Sequence, residues 1–141
     1  MYVFDSSAVV NLVKKGAVTP LGDGVTLDLA LYECLNAVWK EHALLGRLDR
    51  ETALELADII AGVFRVVETV TIKGSEREVL ELAAKEKLSA YDASYLYTAA
   101  KRGLTLVTDD GELREKASKY IETLTSNDIA RRSLKPPWGR R

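Results

Sequence analysis

The stretch LTLVTDD at residues 104–110 carries a short apolar run straight into a pair of acids, and YVFD at residues 2–5 carries another into a single acid. A third short apolar run occupies residues 25–27. Such runs alternate with longer segments of helical periodicity, which is typical of a parallel sheet with helices on both faces. The sequence therefore predicts an α/β fold, a three-layer α/β/α sandwich around a central, mainly parallel twisted sheet.

Turn and capping residues set the predicted boundaries. Strands are predicted at residues 1–5, 25–27, 65–70, 104–107 and 120–124. Helices are predicted at residues 6–14, 29–45, 49–62, 75–87, 89–102 and 112–118, with a last helical turn at residues 127–132. Asp28, Asp49 and Ser89 are candidate N-caps, and Gly46 and Gly103 are candidate helix stops.

Composition and length predict one globular domain over residues 1–132. Of 141 residues, 47% are apolar and 29% charged, which is typical of a chain with a proper core. Five of the 20 Lys and Arg side chains lie in residues 129–141, which contain no acid, so the rest carries 15 basic against 21 acidic side chains. We expect residues 133–141 to form a basic, flexible tail.

Cysteine usage and hydropathy indicate a cytoplasmic protein. Cys34 is the single cysteine, so no disulfide can form within the chain, and this suits a reducing compartment. Asp5 interrupts the first apolar run, which excludes a signal segment there. Because no uncharged apolar stretch approaches membrane-spanning length, we expect no membrane association.

Four acids stand near the ends of predicted strands. Asp5 and Asp110 follow strands directly, Asp92 opens the helix that leads into one, and Glu33 follows another less closely. The carboxyl ends of parallel strands meet at one edge of a sheet, where ligands bind. Because carboxylates at close range repel one another, such a cluster indicates a bound cation, and oxygen ligands favour Mg²⁺ or Mn²⁺.

Helix capping is the alternative explanation for three of these acids. Asp5 can cap a helix that begins at Ser6, and either acid of the 109–110 pair can cap the next helix. Asp92 lies three residues after Ser89, the spacing of a capping box, although Glu or Gln is usual there. A non-catalytic binding protein whose acids are caps is therefore a second hypothesis.

Glu33 is not placed in a site by periodicity. The apolar stripe of its helix is predicted to comprise Leu31, Leu35, Val38 and Leu45, which leaves Glu33 on the opposite, solvent-facing side.

Other catalytic constellations have little support. His42 is the only histidine and is predicted to pack in the core or between helices, so a Ser-His-Asp or Cys-His arrangement is not indicated. Cys34 is predicted to be a small buried hydrophobe. No glycine-rich phosphate loop is present, which argues against a nucleotide cofactor. A phosphatase with Asp5 as nucleophile usually has a second Asp two residues on, where this chain has Ser7.

The chain resembles the PIN-domain ribonucleases, and within them the toxins of VapBC toxin–antitoxin pairs. Four segments carry the resemblance, namely YVFDSS at residues 2–7, ECLN at 33–36, LSAYDA at 88–93 followed by Ala99, Ala100 and Gly103, and LVTDD at 106–110. In the fourth, a Thr two positions before the acid selects Asp110 over Asp109. Their order and spacing extend over nearly the whole chain.

The resemblance implies a PIN-like α/β/α fold and an endoribonuclease that hydrolyses RNA with Mg²⁺ or Mn²⁺. It also implies a homodimer and a small antitoxin protein as partner. On this basis Asp5, Asp92 and Asp110 are the expected metal ligands, and Glu33 is a ligand or orients the attacking water. Ser7 and Thr108 are expected to hydrogen-bond these carboxylates. A stand-alone RNA-processing nuclease remains the alternative within the family.

Overall fold

The structure is a computed structural model and describes residues 1–134. Its strands are β1 (Tyr2–Phe4), β2 (Gly24–Leu27), β3 (Glu68–Val70), β4 (Thr105–Val107) and β5 (Thr123–Leu124). Its α-helices are α1 (Ser6–Lys14), α2 (Leu29–Trp39), α3 (Arg50–Val66), α4 (Glu76–Glu86), α5 (Ala90–Arg102), α6 (Gly111–Ala117) and α7 (Ser126–Leu134). A 3₁₀ turn at Thr19–Asp23 precedes β2, and a π-helical turn at Lys40–Leu44 extends α2.

The five strands form one sheet in the order β3-β2-β1-β4-β5, and all four pairings are parallel. The strand order reverses direction between β1 and β4, since the chain builds outward from β1 on one side and then from β4 on the other. Ligands bind beyond the carboxyl ends of strands at such a switch point. The predicted parallel α/β/α sandwich is confirmed.

The central strands are buried on both faces. Phe4 and Val107 belong to a core with α1, α3, α7 and part of α2, whereas Val3 and Leu106 belong to a second core with α4, α5 and α6. Continuous apolar runs are what a strand covered on both faces requires. The alternation of side chains along β1 and β4 thus generates the two helical layers.

Acidic and hydroxyl caps begin several helices, as predicted. Asp49 accepts a hydrogen bond from the Thr52 backbone N–H at 2.7 Å, and the Ser89 hydroxyl accepts one from Asp92 N–H at 3.1 Å. The Asp28 side chain accepts from Leu29 N–H at 2.9 Å. These bonds satisfy backbone donors that the first helical turn leaves without partners.

The predicted third strand at residues 65–70 was wrong in its first half. Residues 65 and 66 belong to α3, and the helical bonding continues with Val67 N–H donating to the Val63 carbonyl at 2.9 Å. Ile60, Val63 and Val67 all pack in the core, so the helical apolar spacing extends beyond Gly62. The helical spacing of these core residues therefore decided the structure, although the valines at 66 and 67 favoured a strand and Gly62 favoured a helix end.

The predicted apolar stripe on the helix at residues 29–45 was also partly wrong. Leu35 and Leu45 are 41% and 45% exposed, whereas Ala30, Cys34 and Val38 are buried. Gly46 ends the helical segment at φ +63°, as predicted. The buried stripe therefore keeps Val38 but runs one residue earlier than predicted at Ala30 and Cys34, which changes the environment of the neighbouring Glu33.

His42 is half-buried, and its Nδ1 lies 2.8 Å from the Leu48 carbonyl oxygen in the segment before α3. Its core or helix-packing role stays a prediction.

The last helix is longer than the predicted turn, since α7 runs through Leu134. Two residues assigned to the tail are therefore helical, and the remainder of the predicted tail, 135–141, lies outside the described residues. Within residues 1–134, no helix is both long and apolar enough to span a bilayer.

Gly24 gives a direct test of the packing at the start of β2. A Cβ at this position would lie 2.3 Å from the Tyr2 carbonyl oxygen and 2.8 Å from Phe4 Cε2, whereas one at Gly22 meets nothing within 4 Å. Gly24→Ala should therefore lower the free energy of unfolding by about 1–3 kcal/mol, measured by urea denaturation. Gly22→Ala is the matched control in the preceding turn. Equal stability of the two variants would contradict the described contact of β1 with β2.

Candidate active site

Asp5 lies at the carboxyl end of β1 and is only 4% exposed. Its Oδ1 accepts hydrogen bonds from the Ser7 hydroxyl at 2.7 Å and from the Ala8 backbone N–H at 2.9 Å. Its Oδ2 accepts one from the Thr108 hydroxyl. The Ala8 bond makes Asp5 the N-cap of α1, as the capping hypothesis predicted. Capping does not, however, account for the two hydroxyl donors aimed at the same carboxylate.

The pKa of the Asp5 carboxyl is raised to about 6, and burial is the largest cause. The hydrogen bonds from Thr108, Ala8 and Ser7 lower the pKa, and the negative charge of Asp92 raises it, so the value of about 6 is the net result. An acid that keeps a raised pKa despite three donors is held at an electrostatic cost. A cation at this position would remove that cost.

Asp110 follows β4 on the neighbouring strand. Its side chain caps α6 by accepting from Leu113 N–H at 3.0 Å, and its own N–H donates to the Thr108 hydroxyl oxygen at 3.0 Å. Thr108 therefore contacts both Asp5 and Asp110. This shared hydroxyl couples the ends of β1 and β4 at the switch point.

Asp92 lies in the first turn of α5 and is half-buried. Its carboxylate accepts no hydrogen bond from residues 1–134, because the capping contact at this end runs from its backbone N–H to Ser89. Burial is the largest cause, and together with the charges of Asp110, Glu33 and Glu112 it raises the pKa of Asp92 to about 6. Asp92 thus lies within electrostatic reach of three acids, and its carboxylate has no donor in the described part of the chain.

The helical periodicity predicted that Glu33 faces solvent, and this prediction was wrong. The side chain is half-buried, and its Oε1 accepts a hydrogen bond from the Tyr95 hydroxyl at 2.7 Å. Its charge acts on Asp92. Together with Asp5 and Asp110, these groups form an electrostatically coupled set of four carboxylates, which we call the acidic cluster.

Asp109 is directed away from this cluster. Its Oδ1 accepts from Ser126 N–H at 2.7 Å, and its Oδ2 accepts from the Asn11 side chain at 2.6 Å and the Ser126 hydroxyl at 2.6 Å. Burial pushes the pKa of Asp109 upward, but these hydrogen bonds outweigh it and hold the pKa below the usual range. Asp109 joins α1, β4 and α7, which leaves Asp110 as the acid that faces the cluster.

Tyr95 and Cys34 form the apolar surroundings of the cluster, and Tyr95 was not singled out in the sequence. Tyr95 is 1% exposed, and burial together with Glu33 holds the pKa of its phenol well above the ordinary value, so it remains a donor. Burial and the charges of Glu33 and Asp5 raise the pKa of Cys34 to about 12. The thiol is therefore neutral, and the prediction of a small buried hydrophobe is consistent with its complete burial. Tyr95 could have been found from its position three residues after Asp92 and the need of a buried phenol for a partner.

The donor set suits a hard divalent cation. In the part of the chain described, no three Asp, Glu, His or Cys side chains converge closely enough to hold a metal as they stand. Each acid of the cluster nevertheless keeps oxygen lone pairs for a ligand, since Glu33 and Asp110 each use a single side-chain oxygen in the bonds above. All four donors are carboxylates, and Mg²⁺ and Mn²⁺ bind oxygen ligands and retain waters. The carboxylate oxygens of the cluster are therefore suitable ligands for Mg²⁺ or Mn²⁺, either directly or through water.

The family model described as PIN domain matches residues 2–119. The protein named Exonuclease VapC9 from Pyrobaculum aerophilum is 41% identical over 99 residues, which make up 70% of this chain and 71% of the relative. Ribonuclease VapC3 from the same organism is 32% identical over 122 residues, which make up 81% of this chain and 92% of the relative.

A solved structure has the same fold. The crystal structure of PAE2754 from Pyrobaculum aerophilum aligns with a TM-score of 0.73 at 31% identity, over 93% of this chain and 94% of that one. The chain belongs to the PIN-domain family, and its relatives place it among the VapC proteins of that family.

Proposed function

We propose that this protein is a divalent-metal-dependent endoribonuclease, the toxin of a toxin–antitoxin pair, with Mg²⁺ or Mn²⁺ as cofactor. The family and the names of its VapC relatives support a nuclease. The observation that carries the metal dependence is the acidic cluster, in which burial and mutual repulsion raise the pKa of both Asp5 and Asp92 to about 6. The buried, neutral thiol of Cys34 suits a cytoplasmic location.

The capping hypothesis explains only part of this arrangement. Asp5 and Asp110 do cap helices, but caps function on exposed helix ends without a neighbouring acid. Asp92 does not use its carboxylate as a cap, and Glu33 lies in the middle of α2. A cluster that brings two capping acids to two non-capping ones is better explained by a shared cation.

Each residue of the proposed site has a distinct task. Asp5 is held in one orientation by its three donors, so its carboxylate is preorganised as a metal ligand. The Asp92 carboxylate has no donor among residues 1–134 and can turn toward a metal or a metal-bound water. Glu33 is oriented by Tyr95 and is placed to bind the metal or to accept a proton from the attacking water.

Asp110 completes the set from β4, and Thr108 fixes its distance from Asp5 by bonding to both residues. When bound, the divalent cation would neutralise charge on the phosphodiester and lower the pKa of a bound water. The cluster contains no histidine that could activate the water instead. Ser7 and Thr108 hold the Asp5 carboxylate rather than touch substrate.

The mode of cleavage goes beyond the family assignment. One relative is named an exonuclease and another a ribonuclease, so the mode of cleavage has to be measured on this chain. We propose endonucleolytic cleavage because the acidic cluster lies at an open sheet edge. A stand-alone RNA-processing nuclease would use the same cluster and differ only in lacking an antitoxin.

Circular single-stranded RNA tests the cleavage directly, because it has no ends for an exonuclease. Purified protein with Mn²⁺ or Mg²⁺ should linearise it and then fragment it, and excess chelator should abolish both steps. Asp92→Asn should reduce the rate by about 100-fold or more, since it removes one ligand charge and no protein hydrogen bond. The readout is the initial rate on denaturing gels.

Asp28→Asn is the control for this substitution, because Asp28 is an exposed helix-capping acid outside the cluster. It should retain the wild-type rate, and both variants should keep the wild-type circular dichroism spectrum. Full activity of Asp92→Asn, or cleavage undiminished by chelator, would contradict the catalytic assignment.

The proposed partners are a second copy of the chain and a small antitoxin. Beside Glu33, α2 and the adjoining π-helical turn expose Tyr32 at 73%, Trp39 at 54% and Leu44 at 63%. Exposed aromatic and aliphatic side chains of this kind are typical of a face that receives an amphipathic helix. An Arg or Lys from that partner would reach the acidic cluster and form charge-assisted hydrogen bonds with the carboxylates. Homodimerisation would use other exposed apolar side chains, such as Leu80, and is measurable as solution mass.

The antitoxin hypothesis predicts co-purification with the product of a small adjacent reading frame and inhibition of RNA cleavage in the complex. Trp39→Glu should weaken that complex at least about tenfold in titration calorimetry, because an aromatic anchor is replaced by a charge. Val66→Glu, at an 83% exposed position at the far end of α3, should have little effect. A complex that cleaves RNA as fast as the free protein, or the absence of any such partner, would favour the stand-alone nuclease.

A further inference from the structure

The side chains of two of the six tyrosines form neither a hydrogen bond nor a ring contact within residues 1–134. Such a bond or contact holds the other four, Tyr2, Tyr95, Tyr97 and Tyr120. The two without one, Tyr32 and Tyr91, are 73% and 59% exposed. Each directly precedes an acid of the acidic cluster, since Glu33 follows Tyr32 and Asp92 follows Tyr91. Exposed aromatic rings therefore adjoin the proposed site on two helices.

Tyr91 lies in the first turn of α5, one turn before Tyr95 on the same side of the helix. Tyr95 is buried and reaches across to α2, where its hydroxyl donates to Glu33 Oε1 at 2.7 Å. One helical turn amounts to about 5.4 Å, and helical side chains lean toward the N-terminus, so Tyr91 lies beyond this bond, toward the open edge of the sheet. The exposed ring of Tyr91 therefore flanks the mouth of the acidic cluster, with Asp92 beside it.

Tyr32 and Tyr91 differ in their surroundings. Tyr32 shares an exposed side of α2 with Trp39, and this side is the face proposed above for the antitoxin helix. Tyr91 begins no exposed stripe, because Ser94 and Tyr95, one turn further along α5, are both buried. An amphipathic helix is held by several apolar contacts in a row, whereas Tyr91 offers one isolated ring. That ring suits a single flat, aromatic group.

The charge around Tyr91 is negative. Within residues 1–134, the charges that act on the neighbouring Asp92 are those of Asp110, Glu33 and Glu112, all of them acids. A phosphate chain therefore gains no attraction from these side chains. Stacking of a nucleobase on an aromatic ring needs no positive charge, and it is a common means of holding single-stranded nucleic acid. Tyr91 can thus hold a strand at this acidic edge through its bases.

We propose that the ring of Tyr91 stacks on a nucleobase of single-stranded RNA, next to the phosphate that is cleaved at the acidic cluster. The inference rests on the proposed nuclease function and adds a base-binding position to it. Every base has an aromatic face, so the contact holds the strand and reads little of its sequence. It also requires a base that is free of its neighbours, which makes single-stranded RNA the favoured substrate.

The test is RNA binding by two variants of Tyr91, titrated against fluorescently labelled single-stranded RNA in chelator, where no cleavage is expected. Tyr91→Leu keeps an apolar side chain but removes the aromatic face, so its Kd should rise about tenfold. Tyr91→Phe keeps that face and should stay within about twofold of the wild-type Kd. Because the Tyr91 side chain forms no hydrogen bond within the described residues, both variants should keep the wild-type melting temperature.

Leu54→Ala is the control for lost apolar surface, since Leu54 is 49% exposed on α3 and lies outside the acidic cluster. Its Kd should change less than about twofold. Because a phenol carries no charge at neutral pH, Tyr91→Leu should weaken binding by the same factor at every salt concentration. A changed slope of log Kd against log salt would indicate an altered phosphate contact and would count against stacking.

A strand without bases shows whether the bases are the partner of Tyr91. An abasic strand of the same length carries the same phosphates, so wild type and Tyr91→Leu should bind it with Kd values that agree within about twofold. A loss of affinity in Tyr91→Leu as large for this strand as for normal RNA would overturn the stacking contact.

Cleavage of circular RNA by the wild type with Mn²⁺, assayed in parallel, separates this inference from the proposed function. If the wild type cleaves and Tyr91→Leu matches Leu54→Ala in Kd, or Tyr91→Phe loses as much affinity as Tyr91→Leu, the stacking contact alone falls. If the wild type does not cleave RNA, the proposed function falls first, and without RNA binding the contact falls with it. Normal RNA binding by Tyr91→Leu together with loss of a co-purifying antitoxin would assign Tyr91 to the protein interface instead.

Discussion

The buried carboxylate of Asp5 is the constraint around which this end of the molecule is organised. Its 4% exposure would be untenable for an isolated acid, and three donors from α1 and β4 make it tolerable. Those donors are also structural, because they tie the first helix and the fourth strand to the end of β1. Its pKa of about 6 shows that the donors do not fully compensate its burial. A bound cation would compensate the remaining electrostatic cost of burying the Asp5 carboxylate.

The parts of this site that follow from local sequence could be predicted. Asp5 and Asp110 come directly after buried apolar runs, and in a parallel sheet that alone places them at the ligand-binding edge. Glu33 could not be placed in this way, because its helix buries Cys34 rather than Leu35, so the expected stripe was one residue off in the turn that contains Glu33. The contact between Glu33 and Tyr95 joins residues far apart in sequence, which no periodicity reports.

The distinction between adjacent acids shows the same limit. Asp109 and Asp110 are adjacent and identical residue types. Only the tertiary hydrogen bonds from Asn11 and Ser126 show that Asp109 has a structural role. The boundary of β3 was missed for a related reason, because packing of Val63 and Val67 against the core extended α3 through residues that had the composition of a strand. At this boundary, packing against the core determined the secondary structure, and the local strand propensity did not.

Direct measurement of the carboxyl pKa values by ¹³C NMR, without metal and with saturating Mg²⁺, tests most directly whether the four acids form one cation-binding unit. Without metal, Asp5 and Asp92 should titrate near pH 6, so both take up protons as the pH falls through that value. Mg²⁺ competes with those protons and should move both titrations at least about one unit lower. Ordinary pKa values in the metal-free protein, or raised values that Mg²⁺ leaves unchanged, would contradict the account.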